Sequence, residues 1–206
     1  MELHTPRTLE SSTSVLLVHA ADTEPNAQRG VEDVDGDWTE LTVAFPGQHE
    51  PRRAVDAPAN RAIVSVGDVL ESPDGRLSDD AAPVVDAITD PTDLPAVGIS
   101  VSRFCDRRGD AEPLVVSVRS LDRFLQYAPP PTVFRFVHAL VARLEQVGAT
   151  VYAYFDRSRH DDRLVSTFGT LFDEVVVEGP ADPLPEATDE EIARRLGSRD
   201  ERHAQH

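Results

Sequence analysis

Short apolar runs rich in β-branched residues alternate with longer segments of helical periodicity along most of this chain. Such runs are typical of buried strands, whereas apolar residues that recur every three or four positions indicate one face of a helix. The strands predicted in this way are residues 14–18, 41–45, 61–66, 114–118, 151–155 and 172–177. Strands that alternate with helices predict an α/β fold: a mostly parallel sheet with helices on both faces.

The clearest helical segment precedes Gly148, a residue placed where a C-terminal cap belongs. Its apolar stripe consists of Val133, Val137, Leu140, Val141, Leu144 and Val147. Other helices are predicted to begin near Asp93, Leu121 and Asp162. A capping-box pattern at 188–191 predicts one more short helix.

The remaining segments suggest the domain boundaries. Residues 71–90 contain the turn-forming series Pro73-Asp74-Gly75 and are expected to form an exposed excursion. We expect a flexible N-terminus at 1–11, one domain at 12–180, and a short helix with a disordered tail at 181–206.

The charge pattern narrows the possible partners. The chain has no lysine: its 20 basic residues are all arginine, and 37 acidic residues bring the net charge to −17. Dispersed carboxylates without lysine are typical of salt adaptation and predict the cytoplasm of a high-salt cell. The negative charge argues against nucleic acid or an anionic membrane as a partner. Neither a signal peptide nor a run of about 18 apolar residues, the length of a membrane span, is apparent.

Cys105 is the only cysteine, so an intramolecular disulfide and a cysteine-based zinc site are excluded. It lies on the apolar face of a predicted helix, which favours a role in core packing.

Ligands of parallel α/β sheets bind beyond the carboxyl ends of the strands. After the first strand, a phosphate-binding P-loop would place glycines and a lysine. Residues 19–27 have neither, and Asp22 and Glu24 would repel phosphate while Pro25 lacks an N–H donor. The segment is therefore predicted to be an acidic surface loop.

After the fourth strand, Arg119 stands where a Walker-B aspartate would hold magnesium. Arginine inverts the charge at this position and cannot bind a cation. One interpretation is an arginine paired with Asp122 or Asp156. The other is an anion or nucleotide site formed by Arg119, Ser120, Arg157 and Arg159, since guanidinium groups suit phosphate.

Asp156, His160 and Asp162 follow the fifth strand and have the residue types of a hydrolytic or metal site. The sequence favours a plainer interpretation, in which Asp161 or Asp162 caps the next helix and His160 is exposed. We expect no bound metal here, because neighbouring arginines would compete for the carboxylates.

Several of these segments resemble an uncharacterised haloarchaeal family with a RecA/KaiC-like core, some of whose members are labelled Htr-like. The resemblance covers roughly residues 12–196 and is most specific at 120–127 and 188–193. The family pattern usually has aspartate where this chain has Arg119. The resemblance implies a RecA/KaiC-like P-loop core that lacks Walker motifs, and it brings no established activity.

The missing lysine, loop glycines and Walker-B carboxylate together predict a protein that is not an enzyme. We expect a regulatory or scaffold module that acts in signalling through protein contacts, as a homo-oligomer or with another protein, and without a cofactor. The alternative is a nucleotide or anion binder that does not hydrolyse its ligand. A hydrolase based on Asp156 and His160 ranks last.

Overall fold

A computed structural model describes residues 13–20, 37–46, 60–67, 83–108, 112–178 and 184–197. The expectations for the N-terminus at 1–11, for Asp22, Glu24 and Pro25, and for the tail beyond 197 lie outside this part of the chain.

The described residues form seven strands, five α-helices and one short 3-10 turn at Arg157–Arg159. The strands are β1 Ser14–His19, β2 Thr39–Ala44, β3 Asn60–Val66, β4 Val84–Ile88, β5 Leu114–Val118, β6 Thr150–Asp156 and β7 Glu174–Val177. The helices are α1 Leu94–Arg108, α2 Leu121–Tyr127, α3 Pro130–Gln146, α4 Asp162–Gly169 and α5 Asp189–Gly197. Across these ranges, no helix combines the length and apolar character needed to cross a membrane.

All seven strands belong to one parallel sheet with the order β4-β3-β2-β5-β6-β1-β7. The prediction of an α/β fold with a mostly parallel sheet is therefore confirmed. β5 and β6 lie near the middle, and β1 is held between β6 and β7. Their registers bring the carboxyl ends of β1 and β6 side by side, with His19 opposite Asp156.

One face of the sheet packs against helices because alternate strand residues point to it. Leu16, Val116 and Phe155 lie on this face and are buried in a large core cluster. α1, α2, α3 and α4 all contribute to the same cluster, through residues such as Val97 and Phe168. The apolar stripes that predicted these helices are thus their core-facing sides.

The opposite face is also buried, and its described clusters consist of strand residues and Trp38. Val15, Leu17 and Tyr154 form one cluster, and Trp38 packs with Val115 in another. Trp38 is only 2% exposed, so it is a packing residue. Burial on both faces explains why the central strands are continuous apolar runs.

The sequence prediction was wrong for part of residues 71–90, where β4 (Val84–Ile88) forms an edge strand beside β3. Its residues alternate between partly buried and exposed, and a register shift interrupts its pairing between Ile63 and Val64. A short strand that is half exposed and contains Asp86 gives a weak hydrophobic signal, which is why the pattern did not reveal it.

α3 begins at Pro130, three residues before the apolar stripe suggested. Proline is tolerated in the first turn of a helix because the N–H groups there have no partner within the helix. Pro130 and Pro131 therefore form the start of this helix.

Two glycines next to α3 should respond in opposite ways to alanine. Gly148 follows the helix with φ +67°, a conformation that costs an L-residue about 1 kcal/mol, and a Cβ there would meet no neighbour. Gly98 lies inside α1, where a Cβ would make an ordinary contact at 3.8 Å with Phe136. We expect Gly148→Ala to destabilise the protein and Gly98→Ala to stabilise it, each by about 1 kcal/mol, in denaturant unfolding at constant salt. A change of the same sign in both variants would contradict this assignment.

Candidate functional site

The carboxyl ends of β2, β5, β6 and β1 form the edge of the sheet where ligands of parallel α/β folds bind. Arg119 and Ser120 follow β5, and Asp156 closes β6. The backbone amide of Arg119 donates to the carbonyl oxygen of Val43 in β2 at 2.9 Å, which ties two strand ends together. We call this region the carboxyl edge.

Asp122 is the buried centre of the carboxyl edge, with an exposure of 2%. Its Oδ1 accepts a hydrogen bond from the Ser120 hydroxyl at 2.9 Å and a longer one from the backbone amide of Asp156 at 3.4 Å. A carboxylate in the first turn of α2 thus links the end of β5 to the end of β6. Both partners are internal, so this carboxylate serves to join the two strand ends.

Arg119 lies on the face of the sheet opposite the helices. Its guanidinium carbon is 5.6 Å from the ring centroid of Tyr154, a cation–π contact. The carboxylates expected to pair with it have other partners: Asp122 holds Ser120, and Asp156 holds the residues of the 3-10 turn. Side-chain alternation along β5 explains this difference, because it directs position 119 away from α2.

The two arginines of the 3-10 turn are engaged by different carboxylates. Arg157 binds Oδ1 of Asp162 through Nη2 at 2.7 Å and Nε at 3.2 Å. Arg159 has 61% of its side chain exposed, and its Nε lies 3.7 Å from Oδ2 of Asp156. The predicted anion site consists of Arg119, Ser120, Arg157 and Arg159. Each of these residues contacts a different group of the protein itself.

The residues of the predicted hydrolytic site, Asp156, His160 and Asp162, also have separate partners. Asp156 accepts from the hydroxyl and the backbone amide of Ser158 at 2.6 and 2.9 Å, and Asp162 is bound to Arg157. His160 is half-buried with its ring edge-on to Phe155 at 5.4 Å, rather than fully exposed as expected. Its Nε2 is buried without a hydrogen-bond partner. Within the described ranges, no three His, Cys, Asp or Glu side chains are grouped in a way that would hold a metal.

Asp161 caps α4, as one of the two sequence interpretations expected. Its Oδ1 accepts from the backbone amide of Leu164 at 3.1 Å, and Arg195 of α5 binds both of its oxygens at 2.9 and 3.0 Å. Partial burial raises the pKa of this carboxyl, but the hydrogen bonds from Arg195 and Leu164 outweigh burial and bring its pKa below the ordinary value. One carboxylate thus fixes the start of α4 and anchors α5 to it.

Aromatic side chains fill the end of β2. Phe45 packs edge-on against Phe124 at 5.0 Å and stacks with Tyr127 at 5.9 Å. The guanidinium carbon of Arg123 lies over the same Phe45 ring at 5.1 Å. The space beside β2, which binds ligands in many parallel sheets, is occupied here by the protein's own rings.

Cys105 is 6% exposed inside the large core cluster, which agrees with the packing role inferred from the sequence. Burial raises the pKa of its thiol. The thiolate, the nucleophilic form, is therefore disfavoured at neutral pH.

A groove with an apolar floor runs between α1 and α3. The groove has a volume of about 640 Å³, and the side chains of Ile99, Phe136 and Ala139 line it around Gly98. Ile99 is 52% exposed. We call it the α1–α3 groove. Sequence reasoning missed it, although Ile99 stands off the apolar stripe that points into the core and was a signal of a second apolar face.

A second cleft, of about 670 Å³, lies at the amino ends of β2 and β3. Glu112 lines it and accepts from the hydroxyl of Thr39 at 3.0 Å and the amide of Asn60 at 3.4 Å. Its lining mixes carboxylates with guanidinium groups and has no dominant charge.

Comparison with known proteins places the chain in a family. A family model described as a family of unknown function, DUF7504, matches residues 12–177. The chain belongs to DUF7504. No curated protein matched it.

A solved structure supports the fold of this DUF7504 protein. It comes from Pyrococcus horikoshii OT3 and is described as a structural study of Project ID PH0250. The two chains superpose with a TM-score of 0.52 at 13% identity, over 89% of this chain and 91% of the other. At this identity the similarity shows the fold alone.

The buried carboxylate of the carboxyl edge should matter more for stability than an exposed ion pair. Asp122→Ala removes the acceptor of the buried Ser120 hydroxyl, and we expect a loss of about 1–3 kcal/mol in the free energy of unfolding. Asp106→Ala removes an exposed pair with Arg143 and should cost less than about 1 kcal/mol. Equal losses in denaturant unfolding would show that Asp122 does not join the strand ends.

Asp161 should make the stability of this DUF7504 protein depend on pH. A carboxyl whose folded pKa is lowered stabilises the fold above its ordinary pKa of 3.8, and the stabilisation is lost as the pH falls through the lowered value. Asp161→Asn retains a cap oxygen and removes the charge. We therefore expect this variant to be less stable than the wild type near neutral pH, with a difference that shrinks below pH 3.8.

Glu190→Gln, which changes an exposed carboxylate of α5, is the control for that pH series. A pH-independent difference between wild type and Asp161→Asn would exclude the charge of Asp161 as its cause.

Proposed function

We propose that this DUF7504 protein is a non-catalytic regulatory or scaffold module with a RecA/KaiC-like core, and that it acts through protein–protein contacts in the cytoplasm of a high-salt cell. The observation that carries this proposal is the state of the carboxyl edge. Three carboxylates described there are engaged by neighbouring groups: Asp122 by Ser120, Asp156 by Ser158 and Asp162 by Arg157.

Phosphoryl transfer depends on groups that cradle phosphate and hold magnesium. The chain has no lysine, and the position after β5 carries Arg119 instead of a carboxylate. The nearest buried carboxylate, Asp122, accepts hydrogen bonds from Ser120 and Asp156. These features support a core that does not hydrolyse nucleotides.

Protein contacts are favoured by the exposed apolar surface on the helical side. Ile99 is 52% exposed beside a groove of about 640 Å³ whose floor is apolar, and contiguous exposed apolar surface marks sites of protein interaction. The partner in this proposal is another protein or a second copy of the chain, and no cofactor takes part.

Nucleotide or anion binding without hydrolysis is the second candidate. The observation in its favour is Arg159, whose side chain is 61% exposed beside the end of β6. Asp156 and Asp162 stand against it, because carboxylates so close to Arg159 and Arg157 compete with phosphate for the guanidinium groups. This candidate therefore ranks below protein contacts.

Purified protein should release no phosphate from ATP with magnesium in about molar salt, where an acidic chain of this type is expected to be folded. The variant Arg119→Asp restores an acid after β5 and should stay equally inactive, since no lysine reaches the phosphates. Magnesium-dependent hydrolysis by the purified wild type would contradict the proposal, and an increase in Arg119→Asp would assign that activity to the carboxyl edge.

The same protein preparations test the second candidate function, nucleotide binding without hydrolysis. The midpoint of thermal unfolding should not change with saturating ATP, ADP or GTP if no nucleotide binds. A shift in the wild type that is lost in Arg159→Glu would favour nucleotide binding at the carboxyl edge.

A further inference from the structure

We propose that the α1–α3 groove is the docking site for an acidic amphipathic helix of a partner protein. This inference rests on the proposed function and deepens it, because it names the surface and the chemistry of the partner.

The floor of the groove suits the apolar face of a helix. Gly98 has no side chain, and even a Cβ there would lie 3.8 Å from the ring of Phe136, so the floor between the two helices stays open. Ile99 projects beside it with 52% of its surface exposed. Grooves between two helices bind amphipathic helices through apolar anchors at positions i, i+3, i+4 and i+7.

The length of the groove agrees with that mode. α1 has 15 residues and α3 has 17, which correspond to about 22 and 26 Å at 1.5 Å per residue. A partner helix of three to four turns fits along them. A volume of about 640 Å³ accommodates several large apolar side chains.

The charge of the two helices is opposite to that of the whole protein. α1 and α3 together carry five arginines and two carboxylates, a net charge of +3, whereas the whole chain carries −17. The charged residues of these helices are Arg103, Asp106, Arg107, Arg108, Arg135, Arg143 and Glu145.

Three of these arginines line the groove itself. Arg103 and Arg135 are exposed on opposite helices, and no described residue pairs with either of them. Arg143 is held by Asp106 at 2.6 Å. An apolar floor between guanidinium groups that bind no described carboxylate, those of Arg103 and Arg135, complements a helix that carries leucine-type side chains on one face and carboxylates beside them.

Among the helices that the structure describes, α5 is the one with which a second copy of the chain would offer an acidic segment. α5 has an acidic first turn, but it is already used: Glu191 pairs with Arg163 at 3.2 Å, and Arg195 binds Asp161 at 2.9 Å. A separate partner protein therefore fits the groove better.

The probe is a fluorescein-labelled helical peptide of about four turns with leucines at i, i+3, i+4 and i+7 and glutamates on both sides of them. Fluorescence anisotropy with the full chain should show saturable binding that persists to about 1 M KCl, because the floor is apolar. Ile99→Glu and Arg135→Glu should each weaken binding at least about tenfold. Arg194→Glu, an exposed arginine of α5, should leave it unchanged.

A second peptide, with lysines in place of the glutamates, should bind at least about tenfold more weakly than the first at the lowest salt at which the wild type stays folded, where charges are screened least. Thermal unfolding of each variant must match the wild type, so that lost binding is not lost folding. Equal binding by wild type and Ile99→Glu, equal binding of the two peptides, or no binding of the acidic peptide would overturn the groove proposal.

Two further results separate this proposal from the proposed function. Proteins retained from an extract of native cells by wild type and Ile99→Glu alike would overturn the groove as the docking site while leaving protein contacts intact. A self-association of the wild type, measured by sedimentation and abolished in Ile99→Glu, would show that a second copy fills the groove and overturn the partner helix. Retention of no protein by the wild type would count against both proposals.

Discussion

Burial of the central strands on both faces is the constraint on which the rest of this structure depends. Every residue of β5 is buried, and β6 beside it is buried at all but two positions. Polar groups at the ends of such strands have little access to water and need partners inside the protein. The hydrogen bonds of Asp122 to Ser120 and to the amide of Asp156 meet this need, and they join the two strand ends at the same time.

The protein has two surfaces with different properties, the carboxyl edge and the α1–α3 groove. At the carboxyl edge, the arginines of the 3-10 turn pair with Asp156 and Asp162 on either side of it, and Phe45 with its neighbouring rings fills the space beside β2. On the helical side, α1 and α3 leave an apolar groove between arginines on a chain whose net charge is −17. Of these two surfaces, the helical one is where we propose the docking site.

The sequence predicted most of the fold because its central strands and core-facing helices have strong apolar patterns. β4 was not predicted, because an edge strand that pairs on one side needs only half of its residues buried and therefore has a weak apolar pattern. The environment of Arg119 could not be predicted from the sequence for another reason. Its contact Tyr154 belongs to β6, which lies beside β5 only because of the strand order of the sheet. The α1–α3 groove likewise arises from the pairing of two helices that are far apart in sequence, so that Ile99 alone gave a weak signal.

Hydrogen–deuterium exchange of the full chain, measured with the acidic peptide and separately with magnesium and ATP, tests the central claim most directly. The account predicts slower exchange in α1 and α3 when the peptide is present, and unchanged exchange in the segments that contain Ser120 and the 3-10 turn under both conditions. Protection of those carboxyl-edge segments by ATP, with no protection of α1 and α3 by the peptide, would contradict it.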